Sequence, residues 1–98
     1  MAPDDCSLDE AALGQQLDRY RAAGAGAQLI AAGPLTRVIR VNDDVPDALI
    51  DELIVVEERC CPFFELEYDR ATRRFTIAVA DPSRATALEP IAQALGVR

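Results

Sequence analysis

The chain contains no histidine and no lysine, and only three cysteines among its 98 residues. Without imidazole, a cysteine or serine nucleophile has no ordinary general base, so a hydrolase or thiol-protease dyad is poorly supported. Three thiols are too few for a four-thiolate zinc site within one chain. An odd count also argues against a disulfide framework. With lysine absent, all ten positive charges fall on arginine, which, beside the many alanines, points to a high-GC coding bias more than to an arginine function. The net charge is −7, and the densest basic group is the short set Arg70, Arg73 and Arg74. Phosphate neutralisation needs a positive face, so nucleic acid is not an expected partner. No apolar run approaches membrane-spanning length, so no membrane partner is expected either. The opening Met1-Ala2-Pro3-Asp4-Asp5 is acidic and lacks the basic and apolar regions of a secretory signal. A cytoplasmic setting, in which thiols stay reduced, is therefore expected.

What remains is a half-hydrophobic chain of a length that supports one modest core. It reads as a single α+β domain over residues 1–98, with 1–6 as a flexible lead-in. Ser7 with Glu10 fits a capping box opening a first helix. Leu13, Leu17 and Tyr20 recur at helical spacing and are expected to face the core, and Gly24 and Gly26 close the element. Ala27–Ala32 and Arg37–Val41 read as two strands around the Gly33-Pro34 turn. Asn42-Asp43-Asp44 supplies cap chemistry for a second helix from about Pro46 to Cys60. Its expected core stripe is Leu49, Leu53, Val56 and Cys60, with Ile50, Ile54 and Cys61 beside it. Pro62 disfavours helical geometry at Cys61 and ends the helix there.

A hairpin follows. Phe64, Leu66 and Tyr68 alternate with Glu65 and Glu67, and Phe75, Ile77 and Val79 alternate on the return strand. The turn falls within Asp69–Arg73. Leu88, Ile91 and Leu95 then mark a closing helix ended by Gly96. The order α-β-β-α-β-β-α implies a four-stranded antiparallel sheet with helices on one face.

The densest chemistry is the pair Cys60-Cys61 in the string Glu57-Glu58-Arg59-Cys60-Cys61-Pro62-Phe63-Phe64. It falls at a helix C-terminus, where the dipole disfavours a thiolate, and Glu57 and Glu58 add like charge. A soft cation avoids that difficulty because it brings its own charge and displaces the thiol proton. Two-coordinate binding needs sulfurs roughly 4.6 Å apart, twice a metal–sulfur bond of about 2.3 Å. Cys6 would add a third sulfur if the start of the first helix packs near the end of the second. Glu57, one turn before Cys60, would act as an oxygen ligand or proton acceptor. A vicinal disulfide is the redox alternative, strained and easily reduced.

The run Glu57-x-x-Cys60-Cys61-Pro62-Phe63, placed after an amphipathic helix and before an alternating strand, resembles a group of small bacterial proteins associated with mercury and other heavy-metal resistance. The resemblance extends from Cys6-Ser7-Leu8 through the final hairpin and implies soft-metal handling. Mercuric-ion transport proteins also carry a Cys-Cys pair, but in a membrane helix.

The leading expectation is therefore a cytoplasmic protein that binds mercury, arsenite or copper(I) for sequestration, delivery or sensing. Cys60 and Cys61 would be the ligands, Cys6 and Glu57 auxiliary donors, and no organic cofactor or covalent turnover is required. One alternative is a non-catalytic interaction module or homodimer whose cysteines only pack, as buried cysteine often does. Another is a small thiol-dependent enzyme with Glu57 as proton shuttle. Simpler readings stand beside these: Glu57 and Glu58 as a solvated helix face, Cys6 as an exposed residue near a loose terminus, and the arginine group as a solvated turn. Phe63, Phe64, Tyr68 and Phe75 are expected in the core.

Overall fold

The computed structural model describes residues 9–60 and 63–97. Among these, Asp9 caps the first helix: its Oδ1 accepts from the Ala12 backbone amide at 2.8 Å. Helix α1 then runs Glu10–Gly24. The expected capping residue Ser7, the lead-in 1–6 and Cys6 lie outside the described residues. Strands β1 (Gln28–Gly33) and β2 (Thr36–Arg40) form the first hairpin. Helix α2 covers Asp47–Cys60. Strands β3 (Phe64–Asp69) and β4 (Arg74–Val79) form the second hairpin. A 3-10 turn at Pro82–Ala87 leads into α3, Leu88–Leu95. The α-β-β-α-β-β-α order and the α+β class are as the periodicity implies. No helix among the described residues is long and apolar enough to cross a membrane.

The four strands are antiparallel in the order β1-β2-β4-β3, so the two hairpins meet through β2 and β4. Alternation is kept along the central strands. Ile39, Phe75, Ile77 and Val79 are buried beneath the helices, with Phe64 and Leu66 from β3 beside them. Each such side chain contributes about 1.5–3 kcal/mol of apolar burial. Helix α2 packs on β3, α3 packs on β2 and β4, and α1 bridges the two other helices. The approach of α1 to α3 is close enough that a Cβ on Gly24 would lie 1.8 Å from the Leu95 carbonyl oxygen.

The helical faces differ from the spacing-based expectation. Leu13 is 43% exposed, and α1 instead buries Gln16, Tyr20 and Ala23, a stripe set by its two helical neighbours. On α2 the buried set is Ile50, Leu53, Glu57 and Cys60. Glu57 thus occupies the central position expected for Val56. It is 4% exposed, not part of a solvated face, whereas Glu58 is exposed as expected.

The arginine group also departs from a simple solvated turn. Arg73 has φ +59°, the left-handed region a non-glycine residue adopts at some cost. Its guanidinium offsets that cost. Nη2 donates to the Asn42 carbonyl at 2.6 Å and the Val45 carbonyl at 2.5 Å, and Nη1 donates to Asp47 Oδ1 at 3.0 Å. Arg70 pairs with Asp47 and Asp51. The β3–β4 turn is thereby clipped onto the start of α2. Arg74 stays exposed as expected.

Candidate functional site

The end of α2 holds the two expected site residues that the structure describes, Glu57 and Cys60. Cys60 closes the helix and is 4% exposed, turned into the core as the periodicity implies. Glu57 lies one turn earlier on the same face, since residues three apart are neighbours on a helix surface. Its Oε1 accepts from the Tyr20 hydroxyl at 2.7 Å and from Gln16 Nε2 at 3.0 Å. Gln16 Nε2 also donates to the Leu53 carbonyl at 3.0 Å, and Gln16 Oε1 accepts from Arg19 at 3.0 Å. Among the described residues no arginine reaches ion-pair distance of Glu57; the donors on its carboxylate are neutral. A carboxylate removed from water persists only when hydrogen bonds replace the lost hydration. Tyr20 and Gln16 supply them.

Gln16 and Tyr20 were not apparent as site residues in the sequence. Tyr20 reads as an apolar core position, and Gln16 belongs to no stripe of apolar residues. The one available signal is that Gln16, Tyr20 and Ala23 form an alternative helical face to Leu13, Leu17 and Tyr20.

Past the cysteine pair, Phe63 is half-buried. Its ring centroid lies 4.5 Å from that of Phe64, and Arg84 Cζ sits 4.6 Å above its ring. Arg84 belongs to the 3-10 turn, whose Asp81 cap accepts from the Ser83 amide at 2.9 Å. That bond holds the Asp81 carboxyl below its ordinary range. The α2–β3 junction is thus anchored on one side by Cys60 in the core and on the other by Phe63 under Arg84. A groove of about 220 Å³ runs between α1 and α2 along Ala12, Gln15, Arg19, Val56 and Arg59. It passes over the residues that flank Gln16 and Glu57 in sequence.

Of the expected site residues, Glu57 and Cys60 share one face of α2. Cys6 and Cys61 lie outside the described residues. Among the described residues there is no group of three or more His, Cys, Asp or Glu side chains placed to hold a metal ion. Comparison of the chain with family models, curated proteins and solved structures gives no match.

Proposed function

We propose that the protein captures a single soft metal or metalloid ion at the α2–β3 junction, in the reducing cytoplasm. Cys60 and Cys61 are the sulfur donors. Glu57 is the adjacent oxygen donor or the acceptor of the thiol proton, and Cys6 is an auxiliary sulfur. Support comes from one observation above all: a carboxylate held by neutral donors inside the fold, one helical turn from a buried thiol. Such a group adds nothing to a helix C-terminus electrostatically and is costly to bury. Beside a thiol that must lose its proton on binding a soft ion, it has a use.

Cys60 is sealed from solvent in the resting fold, so the ion meets it through opening of the last turn of α2. Helix ends are the first segments to open locally. The role is capture, delivery or sensing, and no covalent turnover is involved. Titration of reduced protein with mercury(II), arsenite or copper(I) tests this, compared with a Cys60→Ser/Cys61→Ser double variant confirmed to be folded. Strong binding lost in the double variant supports capture; equal affinities for both proteins remove it.

A further inference from the structure

The helices cover one face of the sheet, and among the described residues nothing packs on the other. The strand registers lay that open face out as a grid. Gln28, Arg40, Arg74 and Asp69 form a row across the strands at one end. Glu65, Glu67 and Asp69 form a column along β3, the edge strand, and all three are exposed. The cationic row and the acidic column meet at Asp69. The middle of the grid is small and only partly exposed, built on Val38, Thr76 and Ala78.

This segregation is locally unfavourable. Arg40 and Arg74 stand directly opposite each other on neighbouring strands, and like charges at such positions destabilise a sheet. Three acids in succession on one strand face repel one another as well. Asp43, at 3.0 Å, relieves Arg40 in part.

We propose that this face binds a second copy of the chain, two sheets packing face to face with their strands crossed near a right angle. The charge layout is self-complementary in one such arrangement. A two-fold axis along the grid diagonal through Asp69 exchanges row and column; it leaves Asp69 facing its own copy, with Arg74 of each chain flanking that pair. It lays Arg40 of one copy over Glu65 and Glu67 of the other, and Arg74 over Glu67 and Asp69. Gln28 falls beside Glu65. Both sets of contacts form twice, as an isologous two-fold interface requires. Near-orthogonal crossing is one of the two ordinary sheet-on-sheet geometries, and the small central residues permit the usual spacing of about 10 Å between sheets. Two axes aligned with the grid fail: one along the strands stacks arginine on arginine, and one across them stacks acid on acid.

The face spans about 19 Å across the strands and about 17 Å along them. That is a small patch beside the roughly 800 Å² per partner of a standard interface, so the dimer forms reversibly and its mass depends on concentration.

Sedimentation velocity on full-length protein up to millimolar concentration tests the arrangement, with circular dichroism confirming the fold of each variant. The wild-type chain is expected to shift from monomer to dimer. Glu65→Arg/Glu67→Arg and Arg40→Glu/Arg74→Glu are each expected to dimerise at least about tenfold more weakly. Their equimolar mixture is expected to associate again, as a heterodimer. Thr76→Arg, which puts a long side chain and an unpaired positive charge at the centre of the grid, is expected to stay monomeric. A wild-type chain that remains monomeric throughout overturns the proposal. So does a dimer indifferent to all these substitutions, or a mixture of folded swapped chains that does not associate.

Discussion

The Tyr20 hydroxyl donates to Glu57 Oε1 at 2.7 Å, joining α1 to the last turn of α2 across 37 positions of sequence. With Gln16 as second donor, it makes a buried carboxylate tolerable. Tyr20→Phe leaves the ring in the core and removes only the donor, so the cost is the partial loss of a charged group's solvation. The expected destabilisation is about 1.5–3 kcal/mol, read from the shift in urea midpoint at constant m-value. In a Glu57→Leu background the same substitution is expected to cost much less, because the acceptor is gone. Equal costs in both backgrounds would show that the pair contributes nothing.

Two glycines of the same helix make opposite predictions. A Cβ at Gly24 collides with the Leu95 backbone carbonyl, whereas one at Gly14 meets nothing within 4 Å. Gly24→Ala therefore forces α1 and α3 apart and is expected to cost about 1–3 kcal/mol or more. Gly14→Ala improves an exposed helix interior by roughly 0.5–1 kcal/mol. Thermal unfolding of both single variants decides the matter. A harmless Gly24→Ala would contradict the close packing of these helices.

The clip between the β3–β4 turn and α2 is expected to be sensitive to pH at both extremes. The hydrogen bond from Tyr68, aided by Arg73 and Arg70, holds Asp47 below the ordinary aspartate value of 3.8. A carboxyl depressed in the folded state stabilises above its unfolded value, and that contribution disappears as pH falls through the lower folded value. Burial, and then the bond to Asp47, pushes Tyr68 above the ordinary tyrosine value of 10.0. Its contribution is complete below that value and is lost as pH rises through the higher folded one. Asp47→Asn is expected to flatten the acid limb of a stability–pH profile below 3.8. Tyr68→Phe should flatten the alkaline limb above 10.0. Unchanged limbs would assign the pH dependence to other groups.

Capture of an ion at Cys60 and Cys61 predicts linkage to folding. A ligand present at a hundredfold excess over its dissociation constant stabilises the native state by about 2.7 kcal/mol if it does not bind the unfolded chain. Mercury(II) or arsenite is therefore expected to raise the melting temperature of reduced wild-type protein and to leave the Cys60→Ser/Cys61→Ser variant unmoved. Since unfolded thiols also bind such ions, the rise is a lower bound on native-state affinity. A fall in melting temperature for the wild-type chain would mean that the thiols react only when unfolded, and that they serve packing alone.

The β-strand signals were legible because they are local. In the second hairpin, Phe64 and Leu66 against Glu65 and Glu67, and Phe75, Ile77 and Val79 against their neighbours, carry the period-two code that a half-buried sheet demands. The end of α2 was legible for the same reason, since Pro62 acts on the residue before it. The arginine turn was not. Nothing near Arg73 in sequence announces that its guanidinium reaches the carbonyls of Asn42 and Val45, because those acceptors lie in the loop between β2 and α2, 31 and 28 positions earlier.

From its sequence alone this chain determines an α+β order, a sheet with one apolar face, and a helix that ends on Cys60. Each follows from periodicity, caps and turn residues that act over a few positions. Tertiary structure alone decided which stripe of each helix turned inward. On α1 both Leu13–Leu17–Tyr20 and Gln16–Tyr20–Ala23 are spaced to face a core. The second is buried because Gln16 finds the Leu53 carbonyl and the Glu57 carboxylate across the helix pair. A buried polar group needs a partner, and that partner lies dozens of residues away. No local pattern can reveal it until the chain has closed on itself.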